Sequence, residues 1–491
     1  MWRSHRLTVP GFALLLASCA VGPNYRPPET KVLAVPPGYT TPAPNGAVPD
    51  LQRWWVNFND PQLDLIVDLA LKDNLDIAQA VSRLRQARES LIQSRASLFP
   101  TVNANASYSR NINIRGRTFG QITNVGIVNE NYALSGDVSY TADIFGGVRR
   151  GVEAGRASYE SSGYNLAQVQ ATIASEVARN YILARAAQAG VSIARGSLAI
   201  QQDNLEIAGF RVQAGLVSSL DAEQARAQRA QTAANVPSLE QQYEQATNRL
   251  GVLTGQAPGA LKAQLAATAP IPQGPGAVPV GLPADVIRLR PDVRAAERNL
   301  AAATAQIGVA KANLLPQLTL AGSISSNATS INALTDIITG RVFGQLAQTI
   351  FDAGRGRSVV RARRAQAEEA FAAYKASVLG ALEDVENALT ALATAQARQR
   401  EFEIAADASS NAAILARSQY RAGLTDITTL NNTEVSLLSA QSGLNTARSD
   451  QAQALVQLYL ALGGGWNASA PPPTAEPLKA GDGQPTPRAT Q

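Results

Sequence analysis

Histidine occurs once in the 491 residues, at His5, and cysteine once, at Cys19. Imidazole general-base catalysis, Ser/His/Asp and Cys/His nucleophilic arrangements and zinc sites each need one of those side chains. Their scarcity argues against all of these chemistries. The sequence also holds no G-x-x-x-x-G-K-[ST] loop and no G-x-G-x-x-G turn, the usual cradles for phosphates. Carboxylates are plentiful, but they are scattered through Ala- and Gln-rich helical pattern as solvated faces rather than gathered as a metal or glycosidase site. The expectation is a protein that is not an enzyme and that holds no metal and no bound cofactor.

Aromatic residues are scarce as well, at 5% against 45% hydrophobic overall. The apolar content is mostly Ala, Leu and Val, which suits long helices in shallow coiled-coil contact better than a thick globular core. Charge of one sign is not in excess. Forty-three basic groups stand against 38 acidic ones without long runs of either, so there is no nucleic-acid footprint. Beyond the N-terminus no segment reaches eighteen consecutive apolar residues, and no membrane-spanning helix is expected.

What is present starts around the lone cysteine. Arg3, His5 and Arg6 precede an apolar stretch from Leu7 to Ala17, the charged-then-apolar order of a secretory signal, and one too short to span a bilayer. Leu16-Ala17-Ser18-Cys19 has the small-residue pattern of a bacterial lipobox, in which the thiol is diacylated and residues 1–18 are then removed. An ordinary signal peptide that contains a cysteine is the alternative. On the lipobox reading the mature chain starts at Cys19, carries covalent lipid (diacylglycerol and an N-acyl chain) and has lost His5. Its net charge falls from +5 to +3 as Arg3 and Arg6 leave. Several acyl chains anchor stably where one binds only marginally, and Ala20, standing where an aspartate would favour inner-membrane retention, points to the outer membrane. Residues 19–50 follow as a tether. Eight prolines between Gly22 and Pro49 should keep it extended along the outside of the body.

The body repeats itself with a period near 210 residues. LDIAQAVSRLRQARESLIQSRASLFP (75–100) parallels PDVRAAERNLAAATAQIGVAKANLLP (291–316), aligning Asp76 with Asp292, Leu84 with Leu300 and Pro100 with Pro316. DIFGGVRRG (143–151) parallels TIFDAGRGR (349–357), and AGLVSSLDAEQA (214–225) parallels AGLTDITTLNNTE (422–434). In this alignment Leu220 answers Leu430 and Gly255 answers Gly465. Two copies of one unit are expected, spanning 51–255 and 283–466, each in the order helix, two strands, long helix, turn, long helix. Residues 256–282 form a linker in the equatorial region, and 467–491 form a Pro-, Ala- and Gly-rich disordered tail.

The clearest long helix runs from about Ser358 to Tyr420, with Tyr374, Val378, Leu382, Val385, Leu389 and Leu392 at three- and four-residue spacing. After the AGL turn the chain returns with Leu437, Leu444, Leu455, Leu458 and Leu462 in the same rhythm. The first unit repeats this hairpin, with tips near 210–222 and 420–432. Pro237 is expected to break its returning helix, because proline lacks the backbone N–H. Between the helices the period drops to two. In TVNANASYSR, Val102, Ala104, Ala106 and Tyr108 alternate with Thr101, Asn103, Asn105, Ser107 and Ser109. Strands are expected at about 101–111, 132–142, 317–327 and, with its register open, 342–351. Two readings fit them: a two-sided sheet packed on a helix, or strands of an outer-membrane barrel. Four strands cannot close a barrel, and bacterial barrels begin at eight. The barrel reading therefore requires at least two copies of the chain.

Three segments carry a resemblance: CAVGPNYRPP at the mature start, WWVNFNDPQLDLIVDLAL (54–71), and LPADVIRLRPDVRAAERNLAAATAQIGVAKANLLPQLTL (282–320). Through them the chain, over residues 19–466, resembles lipoproteins of the TolC/OprM/NodT outer-membrane factor family. The resemblance implies a mainly α fold with membrane β-structure: a homotrimer whose four strands per chain form a shared 12-stranded β-barrel, continued by a long periplasmic α-helical barrel. It implies a passive exit duct in outer-membrane lipid, docked to a periplasmic adaptor and an inner-membrane pump of the resistance-nodulation-division (RND) class. The same duct serving a type I secretion or ABC-type exporter is the second reading, and a lipid-anchored scaffold without a pore is the third. The family's first tip carries G-L-x-x-x-x-D, matched by Gly215, Leu216 and Asp221. Its second carries an acid near the constriction, for which Asp426 is the nearest candidate. Asp426 is then either one member of a three-fold carboxylate ring or a helix N-cap. Asn431 and Asn432 stand where many relatives place a further acid. Gly215 and Gly423 supply turn backbone, Leu216 and Leu424 are candidate adaptor contacts, and Arg149, Arg150, Arg355 and Arg357 read as helix-start or interface charges.

Overall fold

The computed structural model describes residues 20–42, 51–112 and 128–468; Cys19, the leader and the tail beyond 468 lie outside them. In chain order the regular elements are α1 (Pro61–Asp73), α2 (Leu75–Ala96), β1 (Thr101–Ile112), β2 (Val128–Ala142), α3 (Gly147–Gln213), α4 (Ser219–Leu253), α5 (Lys262–Leu265), α6 (Pro283–Leu289), α7 (Pro291–Ala312), β3 (Gln317–Ala328), β4 (Thr339–Ala347), α8 (Arg355–Arg421) and α9 (Ile427–Ala461). They fall into two compact units. One draws on the chain up to Pro27, Gln86–Tyr159 and Glu297–Ala372, and the other on Pro28–Arg85, Glu160–Ala296 and the chain from Ala373.

The first unit holds the sheet, four antiparallel strands in the order β1-β2-β3-β4. Its register puts like with like. Val102 faces Val138, Ala106 faces Leu134 and Tyr108 faces Tyr132, while Asn103 faces Asp137 and Asn105 faces Ser135. Tyr140 then faces Leu320, and Leu318 faces Leu346. Apart from the Arg110–Glu130 pair and Ser326, even-numbered residues thus form one apolar face across the four strands, and odd-numbered residues a largely polar one, because side chains alternate along a strand. The apolar face is open: Val102 is 74% exposed, Ile324 63% and Val342 91%. Both outer strands, β1 and β4, have one unpaired edge among the described residues. The second strand begins at Val128, four residues before the expected start. The fourth is Thr339–Ala347 rather than 342–351, with Val342 and Leu346 on the apolar side. Its end is set by pairing with Gln317, the first residue of β3, beyond which β4 has no partner. Asp352 then turns the chain into α8 by accepting from the Gly354 and Gly356 amides.

The second unit is helical. Asp60 caps α1 by accepting from the Gln62 and Leu63 amides at 3.0 and 3.1 Å, with Pro61 in the first turn, where proline's missing N–H is no loss. Trp54 stacks on Tyr459 at 5.3 Å between ring centroids. Arg185, almost wholly buried, donates to the Tyr181 hydroxyl at 3.1 Å and to the Ala267 carbonyl at 2.7 Å, so the segment after α5 is held by the helices. Arg290 lies buried between Asp292 (2.7 Å) and Asp384 (2.9 Å) and also donates to the Ala461 carbonyl.

The two hairpins have equal arms: α3 and α8 are 67 residues each, α4 and α9 35 each. Equal lengths fix the internal alignment more tightly than residue similarity does. Gly215 corresponds to Gly423, and the helix-ending turn at Gly255, closed by Gln256 N–H to the Gly251 carbonyl, corresponds to that at Gly463, closed by Gly464 N–H to the Tyr459 carbonyl. Two expected pairings are therefore corrected: Gly255 answers Gly463, not Gly465, and Leu430 answers Ala222, not Leu220. Pro237 does not break its helix. It lies inside an unbroken α4, where one missing bond to the Ala233 carbonyl is tolerated within a long packed arm. Because the apolar face continues across β1 to β4, Leu134→Arg should destabilise the protein in a bilayer by about 2–4 kcal/mol. Asn105→Arg on the polar face should be close to neutral. Urea titration of each variant in lipid vesicles reads the difference.

Candidate functional site: the paired hairpin tips

Both tips are built by one device. At the first, Gly215 (φ +68°) follows α3, its N–H donating to the Val212 carbonyl at 3.0 Å, and the Leu216 N–H donates to the Arg211 carbonyl at 2.9 Å. At the second, Gly423 (φ +75°) donates to the Tyr420 carbonyl at 3.0 Å and Leu424 to that of Gln419 at 2.8 Å. This paired closure satisfies the last helical carbonyls and needs a left-handed residue, hence glycine. It leaves Leu216 and Leu424 at the apices, 73% and 78% exposed.

The returning helices start differently. Ser218 caps α4, its hydroxyl accepting from the Leu220 amide. Asp426 caps α9: Oδ1 accepts from the Thr429 amide at 2.8 Å and Oδ2 from the Thr429 hydroxyl at 3.1 Å. In the hairpin alignment the counterpart of Asp426 is therefore Ser218, and Asp221 lies in the first turn of α4. The Thr429 amide bond, together with the other donors of that first turn, holds the Asp426 carboxyl below its ordinary value.

Beneath the apices the tips pack on one another. Ala208, Ala225, Ala416, Tyr420, Ile427 and Leu430 form one buried cluster drawn from α3, α4, α8 and α9. The Arg211 guanidinium sits over the Tyr420 ring, 4.6 Å from its centroid. Burial raises the Tyr420 hydroxyl pKa, and Arg211 partly offsets that. The Thr428 hydroxyl reaches the Gln224 side-chain oxygen at 3.4 Å. Deeper in the second hairpin, Glu434 is 2% exposed and paired to Arg417 through both carboxylate oxygens. Sequence reasoning missed Arg211, Tyr420, Arg417 and Glu434. The signal was an aromatic–arginine pair before each AGL, Phe210-Arg211 about one turn ahead of Ala214 and Tyr420-Arg421 directly ahead of Ala422, residues that read as ordinary helix surface until the two tips are brought together. Of the arginines beside the strands, Arg149 pairs with Asp143 at 3.1 Å and Arg355 and Arg357 are exposed, whereas Arg150 is buried.

An amphipathic sheet with an open apolar face, joined in one chain to two helical hairpins with exposed leucine tips, has the form of an outer-membrane channel protein. The family model described as "Outer membrane efflux protein" matches residues 66–256 and 282–464, and the chain belongs to that family. Nodulation protein T of Rhizobium leguminosarum bv. trifolii is 32% identical over 476 residues, 95% of this chain and 98% of the relative. The pyoverdine export outer membrane protein OpmQ of Pseudomonas putida is 33% identical over 449 residues, 90% of this chain and 95% of the relative. Among solved structures, the outer-membrane channel OprN superposes with a TM-score of 0.82 at 33% identity, covering 91% of this chain and all of that one. The protein is an outer-membrane efflux protein of the NodT/OprM type.

Two outcomes follow at the tips. Glu434→Ala should leave Arg417 without its partner and cost the second hairpin about 3 kcal/mol, read as a lower unfolding midpoint. Adding Arg417→Met should restore most of it. Asp426→Asn keeps a capping oxygen but removes the charge. If a carboxylate ring holds the tip closed, both Asp426→Asn and Asp426→Ala should raise single-channel conductance. If the residue is only a cap, Asn behaves as wild type. A depressed carboxyl contributes stability above its unfolded pKa and loses it as pH falls through its folded value, so the cap should weaken only below the ordinary carboxylate range.

Proposed function

We propose that three copies of this chain close a shared 12-stranded barrel in the outer membrane, continued by their hairpins into the periplasm. The assembly is a passive exit duct. A periplasmic adaptor and an RND-type inner-membrane pump deliver small solutes or drugs to it, and the barrel releases them outside. One observation carries the reading: an amphipathic four-stranded sheet with its apolar face exposed and, among the described residues, the outer edges of β1 and β4 unpaired. Lipid leaves unpaired strand edges unsatisfied, so such a sheet must be closed. Four strands are too few for one chain to do it, and further copies supply the rest. No chemistry at a protein site is needed for this role. The cargo is chosen upstream, since a duct faced with Asn, Ser and Thr side chains has few groups that read a substrate. The name of the relative OpmQ, a pyoverdine export protein, supports export of small molecules.

Membrane attachment has a second component in this reading, acylation of Cys19. At the other end Leu216 and Leu424, presented by Gly215 and Gly423, contact the adaptor, while Asp426 stands two residues past Leu424 and Asp221 five past Leu216. The test is in-cell crosslinking of a tagged chain, with identification of what remains bound after membrane purification. A trimer with an adaptor and a proton-driven pump is expected. An ABC transporter in place of that pump would move the duct to protein or ABC-type export, and the absence of any inner-membrane partner would favour a scaffold.

A further inference from the structure

Of the residues that follow Cys19, Ala20, Val21, Gly22, Asn24 and Tyr25 each contact the sheet unit. A Cβ on Gly146 (φ +75°) would stand 2.7 Å from the Ala20 Cα. The Val21 amide donates to the Phe145 carbonyl at 3.1 Å. Gly22 (φ +107°) lies backbone to backbone against Gly308 of α7, whose Cα would be 2.5 Å from a Cβ at position 22. Asn24 and the Val21 carbonyl are both held by Arg150: Nη2 donates to Asn24 Oδ1 at 2.6 Å and Nε to Val21 O at 3.3 Å. The third arm of the guanidinium, Nη1, pairs with Glu153 at 2.7 Å. The Tyr25 hydroxyl donates to Glu297 at 3.1 Å, and Arg298 sits over its ring at 5.5 Å.

Arg150 is 5% exposed. A buried guanidinium is costly unless its donors are paired, and two of its three partners here belong to residues 21–24. Gly308 makes room for the arrangement, since a Cβ there would stand 2.8 Å from Arg150 Cγ and 2.9 Å from the Val21 carbonyl oxygen. The site is therefore built around this segment. A proline-rich tether with no other task would stay solvated and swing.

We propose that Arg150 and the Gly22–Gly308 contact form a latch that fixes the start of the mature chain at the β2–α3 junction, so that the diacylglyceryl group on Cys19 enters the bilayer at a set place beside that junction. Ala20, next to Cys19 in sequence, is held close against Gly146. Arg150 is a positioning residue for the anchor, and the lipid is registered to the sheet rather than held on a free leash. The inference rests on the lipoprotein reading for the identity of the anchor, and on the packing alone for the latch.

Hydrogen exchange on the full-length protein in lipid nanodiscs tests it, followed in the peptide spanning residues 20–27, with the mass of the N-terminal peptide reporting acylation. In the wild type the 20–27 peptide should exchange slowly, chiefly at the Val21 amide, which donates to the Phe145 carbonyl. Arg150→Met should speed its exchange by about tenfold or more, the loss of two charge-assisted bonds, with acylation and strand protection unchanged. Arg150→Lys, which keeps the charge but not the fork, should recover part of the protection. Cys19→Ser, exported with a cleavable signal, should keep it, because protein contacts hold the segment. Unchanged protection in Arg150→Met, or protection lost in Cys19→Ser alone, would overturn the latch. Should Arg150→Met also expose the strands, Gly22→Leu decides from the segment side: rapid exchange confined to residues 20–27 supports the latch, and retained protection overturns it. An unacylated Cys19 in the wild type overturns the lipid placement while leaving the latch to be judged by the exchange data.

Discussion

Among the described residues, the outer edges of β1 and β4 present backbone N–H and C=O groups with no strand partner, and the proposed assembly rests on this. A strand edge in hydrocarbon has no water to turn to, so a sheet that offers an apolar face to lipid must find more strands until it closes. The four-strand register makes this demand continuous. Even-numbered residues from Val102 to Leu346 lie on one face, and the polar partners Asn103–Asp137 and Asn105–Ser135 lie on the other. A sheet packed on a helix of its own chain would cover the apolar face, and here it is left open. That is the physical ground for reading the chain as one part of a larger closed wall.

The helical hairpins obey a second constraint, that the two repeats match in length. Arms of 67 and 35 residues occur twice, and both tips close through the same glycine-terminated turn. Equal arms bring the two tips to one level, where Tyr420 and Arg211 meet and a single buried cluster ties four helices together. The repeats differ in what caps the returning helix, and the buried Arg417–Glu434 pair of the second has Gly209 and Arg226 at the corresponding positions of the first. Ser218 is neutral and Asp426 carries charge, so the difference between the hairpins is electrostatic rather than architectural.

Much of this was legible in the sequence because the governing signals are periodic. Alternation in TVNANASYSR fixed the face of β1, and three- and four-residue spacing of leucines marked the hairpin arms. The fourth strand was read poorly because Phe343 stands on the polar, odd-numbered side and breaks the alternation, and its register came from pairing with β3. Pro237 misled because a local rule was applied to a helix held by tertiary packing. The alignment of Leu220 with Leu430 failed for a related reason, since similar side chains weigh less than the helix-ending turns that set the frame. At the tips the glycines and leucines were found from the AGL motif. The Arg417–Glu434 pair and the Arg211–Tyr420 contact join residues too far apart in sequence, or on too uniform a helix surface, for spacing to reveal. The segments most distinctive in sequence proved to hold the fold: Asp60 of the NDPQL run caps α1, and Arg290 of RLRPDV is a buried ion-pair centre. Arg150 read as a helix-start charge because its partners, Val21 and Asn24, lie more than a hundred residues upstream.

The most direct measurement is an electron cryomicroscopy reconstruction of the protein in lipid nanodiscs, resolving chain count and strand orientation. The account predicts three copies forming one closed barrel of twelve strands, with Val102, Leu134, Ile324 and Val342 facing lipid and Asn103, Asn105 and Asp137 facing the lumen. A sheet left open in the bilayer, or a closed one with the even-numbered residues lining the lumen, would contradict it.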